Sequence, residues 1–203
     1  MSALEELLDQ LDAARERTLM ALETLPDEAL AQPGVVGRWA IADLLSILTA
    51  WDAEVVTALM QLHNGRTPER LLAALRNPDI YNAQRYQDAQ GRTLDSIFDD
   101  FQTSRLHLED GLSRLSERAL TNPRHYNALA GESLGRLVAR ATYLHEARYL
   151  PFLTAFADRW EDAEPPAVIP LSDISLGTGA LGLPGTNGDA NMTFPEDDDD
   201  DFG

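Results

Sequence analysis

The stretch that decides the fold is AIADLLSILTAWDAEVVTALMQLH, residues 40–63. Its apolar side chains recur at steps of three and four, the period of an α-helix with one buried face. The predicted buried positions are Leu44, Ile47, Leu48, Trp51, Val55 and Leu59. Asn64-Gly65 follows directly and predicts the end of the helix, because both residues favour turns. The sequence therefore predicts one long amphipathic helix over residues 40–63.

Three other segments share this period, and they cover residues 3–24, 93–117 and 131–160. Thr93 has the hydroxyl of a good N-cap, and Pro151 predicts a kink near residues 147–150. The prolines and glycines of residues 25–38 predict a loop or a short turn, and residues 68–90 predict short helical pieces. No segment alternates in the manner of a strand, so the sequence predicts an all-α four-helix bundle.

The inward positions are predicted from the same periodicity. In the first helix they are Leu4, Leu8, Leu11, Arg15, Thr18 and Leu22. In the third they are Leu94, Ile97, Phe98, Phe101, Leu108, Leu112 and Leu115. In the fourth they are Leu134, Leu137, Val138, Ala141, Leu144, Phe152 and Phe156.

An internal echo indicates how the helices are arranged. LPDEALAQP at residues 25–33 aligns with LSERALTNP at residues 115–123, ninety positions later. Each copy joins the end of one predicted helix to the start of the next. The echo favours two helical hairpins related by duplication. Convergence of two bundle loops on similar turn residues is the alternative.

Charge divides the chain into two parts and limits its partners. The net charge is −18, and all 16 cations are arginine. Residues 1–160 are predicted to form the bundle, and residues 161–203 a Pro- and Gly-rich acidic tail that is mostly disordered. Neither part offers a basic surface, so we expect no binding to nucleic acid or to an anionic membrane.

Further classes are excluded by composition. The chain has no cysteine, which excludes disulfides, thiolate metal sites and a cysteine nucleophile. MSALEELLDQ, residues 1–10, lacks the basic and apolar regions of a signal peptide, so we expect a cytoplasmic protein.

Four stretches carry a resemblance to a known family. They are GRWAIADLL at 37–45, LTAWD at 48–52, IYNA at 80–83 and ATYLH at 141–145. With them the sequence resembles the DinB-like superfamily, and within it the ClbS/DfsB-type branch of four-helix bundle proteins. The resemblance covers roughly residues 3–156.

Many members of that superfamily bind a divalent metal through three histidines. The resemblance places those positions at Ile47, His145 and Tyr149 in this sequence. One imidazole beside an isoleucine and a phenol does not make a first-row metal site. We therefore predict a degenerate metal site, with no metal and no other cofactor.

The resemblance also implies a small-molecule ligand in the cleft between the hairpins. His145, Asp52 and Tyr149 are the candidate catalytic residues, and Trp39, Trp51 and Tyr143 are the candidate ligand-binding residues. The resemblance to this branch implies a metal-independent hydrolase or transferase that protects against a reactive metabolite. In it His145 would act as a general acid–base together with Asp52 and Tyr149. Catalysis itself is left open. The alternative is a non-catalytic bundle that acts in protein assembly through its surface and its acidic tail. A homodimer stays open as well.

Overall fold

The computed structural model describes residues 2–162. Within them lie ten α-helices and one short 3-10 turn, and an isolated bridge between Val36 and Trp39 is the sole β-type pairing in this part of the chain. The elements are α1 Ala3–Leu22, α2 Asp27–Ala31, α3 Ile41–His63, α4 Glu69–Arg76, α5 Pro78–Asp88, α6 Leu94–Ser113, α7 Glu117–Thr121, the 3-10 turn Asn127–Leu129, α8 Leu134–Ala141, α9 Tyr143–Glu146 and α10 Leu150–Asp162. The predicted all-α four-helix bundle is confirmed: α1, α3 and α6 are three of its helices, and α8 to α10 form the fourth.

The helix starts follow from side chains that accept orphan backbone N–H groups. Ser2 and Glu5 form a capping box at α1, and the Thr93 hydroxyl accepts from the Ser96 N–H at 3.3 Å, as predicted. Ser133 caps α8 by accepting from the Arg136 N–H at 3.4 Å. Local sequence therefore fixes where three of the helices begin.

The two copies of the internal echo fold alike. α2 and α7 are both five-residue helices, and they start at equivalent positions ninety residues apart. Each buries its central Ala-Leu pair, Ala29-Leu30 in the first copy and Ala119-Leu120 in the second. α1–α3 and α6–α8 are therefore equivalent helix–short helix–helix units, which agrees with two related hairpins.

The core lies along α3, which contributes to both apolar clusters of the bundle. Ile47, Trp51 and Val55 pack in the cluster shared with α1, α6 and α8. Leu44 and Leu48 pack in the cluster shared with α2 and α10. These are the apolar positions that defined the helix in the sequence.

The fourth helix has the interruption predicted near residues 147–150, and it has a second, unpredicted break. It breaks first at Thr142, where φ is −119° and ψ is −104°, and α9 and α10 are joined by residues 147–149. Pro151 lies in the first turn of α10, where its missing N–H costs no hydrogen bond. The breaks change which side chains face inward. Leu144 and Phe152, predicted as core, are 47% and 49% exposed.

The predicted loop over residues 25–38 also needs a correction, because it contains α2. The chain then turns at Gly37, whose φ of +60° favours glycine, and Trp39 donates to the Val36 carbonyl. The predicted disordered tail lies outside the described residues. No helix in the described part of the chain is long and apolar enough to cross a membrane.

Candidate functional site

Four charged side chains meet inside the bundle, one from each of its four helices. They are Arg15 of α1, Asp52 of α3, Arg105 of α6 and Glu146 of α9, and all four are at least nine-tenths buried. We call them the charge tetrad. The tetrad holds two positive and two negative charges, so its members neutralise one another within the core.

Each carboxylate of the charge tetrad accepts from both guanidinium groups. Asp52 Oδ2 lies 2.9 Å from Arg15 Nη2 and 3.0 Å from Arg105 Nε. Glu146 Oε1 lies 3.4 Å from Arg15 Nε, and its Oε2 lies 2.8 Å from Arg105 Nη2. Burial disfavours the charged form of Arg105, but Asp52 and Glu146 outweigh this and raise its pKa.

The charge tetrad repeats the internal symmetry of the chain. Arg15 and Arg105 are ninety positions apart, which is the offset of the echo. Arg105 Nη1 donates to the Leu11 carbonyl at 2.6 Å, and Arg15 Nη1 donates to the Phe101 carbonyl. Each arginine therefore donates to the carbonyl that lies four residues, about one helical turn, before the other arginine. The guanidinium groups link the two hairpins reciprocally.

A second polar group lies beside the charge tetrad and contains His145. The imidazole packs on the Trp51 ring at 4.7 Å and on the Tyr149 ring at 5.3 Å between centroids. Asn82 joins the two aromatic residues, because its Oδ1 accepts from Trp51 Nε1 at 2.8 Å and its Nδ2 donates to the Tyr149 hydroxyl at 3.0 Å. We call Trp51, Asn82, His145 and Tyr149 the histidine cluster.

The imidazole of the histidine cluster is held neutral. Burial and, to a smaller extent, the nearby Arg148 lower the pKa of His145 to about 4, against an opposing effect of Glu146. Its Nε2 is buried and has no hydrogen-bond partner among the described residues. Burial also raises the pKa of Tyr149. The cluster thus offers a neutral imidazole nitrogen and a protonated phenol at pH 7.

The structure brings together three of the six candidate residues, Trp51, His145 and Tyr149. Asp52 follows Trp51 in sequence, but its carboxylate accepts from the two arginines of the charge tetrad. Trp39 stacks on Tyr86 with centroids 6.3 Å apart. Tyr143 lines a cavity beside α1 and α7 that no member of the histidine cluster lines.

Sequence reasoning missed Arg105, Glu146 and Asn82 as members of these groups. One signal was present, because Arg15 interrupts a stripe of apolar residues and Arg105 repeats it at the offset of the echo. Glu146 follows His145 directly, but its inward orientation depends on the break at Thr142. Such a break has no local sequence signature that we recognised.

The residues at the family's three metal positions do not fit a metal. Ile47 is a fully buried hydrocarbon, and the Tyr149 hydroxyl accepts from an amide. No group of three or more His, Cys, Asp or Glu residues suited to a metal occurs in the described part of the chain. His145 is the sole imidazole that the resemblance places at these positions, and one imidazole does not hold zinc.

The metal positions lead to a testable prediction. Ile47→His combined with Tyr149→His should create zinc-dependent stability, because three imidazoles would then share one face. At a zinc concentration 100 times Kd the gain is about 2.7 kcal/mol, measured by urea unfolding with and without zinc. Each single variant is the control. Stoichiometric zinc in the wild-type protein would contradict the degenerate site, and a folded double variant that binds none would contradict the placement of the three positions.

A cavity of about 470 Å³ lies between α4 and α5. Its wall includes Tyr81, whose ring packs on the Trp51 ring at 4.7 Å between centroids. Two arginines line it, Arg70 and Arg85, and Arg85 Nε has no partner among the described residues. The cavity therefore combines an aromatic wall with cationic side chains.

A comparison with protein-family models agrees with the fold, whereas comparisons with individual proteins found no match. No curated protein and no solved structure matches the chain. The family model of the DinB superfamily matches residues 10–148, which include α2 to α9, the charge tetrad and His145. The match covers well over half of the sequence and ends at residue 148, just before α10. This chain is a member of the DinB superfamily.

Proposed function

We propose that the protein is a metal-independent member of the superfamily that binds a small molecule beside the histidine cluster. The observation that carries the proposal is the buried Nε2 of His145, which has no partner among the described residues. An unsatisfied buried polar atom costs about 1–3 kcal/mol, so its retention in the core calls for a compensating role. A ligand that reaches this atom would supply that role.

The α4–α5 cavity is the proposed way in. Tyr81 lines it and packs on Trp51, which packs on His145, so a ligand would have to displace the Tyr81 ring to reach the cluster. Arg70 is exposed and pairs with the buried Glu54 at 3.2 Å, while Arg85 pairs with Asp88 at 2.9 Å. Each guanidinium has further N–H donors beyond these pairs. A ligand with an aromatic body and a carboxylate would suit these walls.

The same arrangement supports a catalytic version of the proposal, in which the protein is a hydrolase or transferase acting on a reactive metabolite. The neutral His145 would accept a proton from an attacking nucleophile, and the Tyr149 hydroxyl would donate one to the leaving atom. A histidine whose pKa is about 4 is a weak base, which suits an already reactive electrophile. Asp52 would act indirectly, by holding α3 through the charge tetrad.

Binding is tested with 1-naphthoate as the probe and the Trp51 indole N–H as the reporter. The chain has three tryptophans, and Trp51→Phe assigns the resonance in an NMR spectrum. We expect 1-naphthoate to shift the Trp51 signal while the Trp160 signal, on α10, stays in place. The physical reason is that the Trp51 N–H donates to Asn82 within the cluster, so a ligand against Tyr81 changes its surroundings.

The matched controls separate charge from shape. 1-Naphthalenemethanol has the same ring system without the carboxylate, and Arg70→Gln with Arg85→Gln removes the cations. The neutral ligand and the double variant should each show a weaker affinity, by about tenfold if one charge-assisted hydrogen bond is lost. An unchanged Trp51 signal at millimolar naphthoate would contradict the entry route. His145→Gln should weaken naphthoate binding, because it removes the nitrogen that the ligand is proposed to reach. Tyr149→Phe tests the catalytic version, because it should abolish turnover of an electrophile and leave naphthoate binding in place.

A further inference from the structure

A groove of about 680 Å³ lies where α1, α2 and α6 meet, and no member of the histidine cluster lines it. Its surface is largely apolar, and Met20 within it is 65% exposed. The apolar lining consists of Leu19, Met20, Leu22, Leu25, Leu30 and Phe98. A groove of this volume suits a drug-sized molecule, because ligand pockets span roughly 300–1,000 Å³.

Four exposed carboxylates surround this apolar surface. They are Asp12, Glu16, Glu23 and Asp27, and we call the whole feature the acidic groove. None of the four makes an ion pair with any part of the chain that the structure describes, although acids elsewhere pair with arginine. Arg15 also lines the groove, but its guanidinium donates to Asp52, Glu146 and the Phe101 carbonyl, so its charge is neutralised in the core.

The charge of the acidic groove limits what it can hold. Residues 163–203 carry many acids and no basic residue, so this segment would be repelled by the four carboxylates. A second copy placed symmetrically on the groove would set the same carboxylates against one another. An anionic ligand meets the same repulsion. What complements the groove is positive charge on an apolar body.

We infer that the acidic groove binds a lipophilic organic cation, an amine with a flat or branched hydrocarbon body. The body would cover Leu19, Met20 and Phe98, and the ammonium group would lie among the rim carboxylates. At one end of the groove Asp12 faces Glu109 of α6, which lies outside the groove lining. Burial, and then the neighbouring Asp12 carboxylate, raise the pKa of Glu109. A cation bound at that end would relieve this repulsion.

The test uses 1-pyrenemethylammonium as the probe and the fluorescence anisotropy of pyrene as the readout, with the full chain at low salt. We expect saturable binding with one site per chain. 1-Pyrenemethanol and 1-pyrenecarboxylate have the same body with neutral and negative groups. The neutral probe should bind about tenfold more weakly and the carboxylate more weakly still, and added salt should reduce the difference. Equal affinity for the three probes would overturn the inference.

Variants locate the probe. Glu16→Gln with Glu23→Gln should weaken 1-pyrenemethylammonium binding about fivefold, because two exposed ion pairs are lost. Met20→Arg should abolish it. Glu69→Gln with Asp79→Asn removes the same charge from the first turns of α4 and α5 and should leave it unchanged. A uniform loss in both double variants would mean binding to net charge and would overturn the site. A basic amphipathic peptide that binds the groove more tightly than the amine would overturn the small-molecule assignment in favour of a helical partner.

Discussion

Asp52→Ala is expected to lower the free energy of unfolding by about 3–5 kcal/mol, because it leaves Arg15 and Arg105 buried with one carboxylate between them. Breaking one partner of a buried ionic group is costly, whereas the group as a whole contributes little net stability. Urea unfolding measures the change as a shift of midpoint at unchanged slope. The variant is marginally folded if the wild-type protein has the usual 5–15 kcal/mol.

Two controls give this prediction its meaning. Asp110→Ala removes an exposed partner of Arg114, and such pairs contribute about 1 kcal/mol or less. Replacing all four residues of the charge tetrad with apolar residues of similar volume should recover most of the loss, because no charge then stays buried alone. If Asp52→Ala cost no more than Asp110→Ala, the charge tetrad would not be a buried, mutually neutralising group.

Acidification from pH 6.5 to pH 4 is expected to remove about 3 kcal/mol of stability through His145 alone. The imidazole has a pKa of about 4 in the fold and about 6.5 when unfolded, so the unfolded chain binds the proton first as the pH falls. The contribution is therefore complete above pH 6.5, declines through this window and is lost below pH 4. The ring is 3% exposed, so water cannot solvate the protonated imidazole in the folded state.

Comparison of variants isolates this contribution from the carboxylates that also titrate in acid. His145→Gln has no titrating imidazole, so its stability should fall less steeply than that of the wild-type protein between pH 6.5 and 4. His107→Gln alters an exposed histidine on α6 and should retain the wild-type slope. Equal slopes for the wild-type protein and His145→Gln would mean that the ring is accessible and protonates in the native state.

The sequence was informative wherever one physical signal dominated. Apolar periodicity located α1, α3 and α6, Thr93 was the predicted cap of α6, and the echo marked the two equivalent connections that contain α2 and α7. The break at Thr142 was missed, because a fully helical pattern continues through it and tertiary packing decides the backbone there. For the same reason Leu144 and Phe152 were wrongly placed in the core.

The candidate site was predictable in part. His145, Trp51 and Tyr149 came from the resemblance, and the structure places their rings in contact. Asn82 was missed, because its role depends on α5 packing against α3. Arg15 was placed in the apolar stripe, but its ion pairs with Asp52 and Glu146 were not predicted. A charge at a core position predicts a buried partner, but the partner's identity depends on the assembled bundle.

The reciprocal contacts of Arg15 and Arg105 have the form of an isologous interface, here within a single chain. In a symmetric dimer of identical subunits every interface group occurs twice. A single chain with two similar halves is free of that constraint. Ninety positions before His145 stands Val55, and ninety before Tyr149 stands Leu59, both apolar. The arginines occupy equivalent positions in the two halves, whereas the imidazole and the phenol occur in the second half alone. The proposed ligand would therefore have one site in the chain and no symmetry-related duplicate.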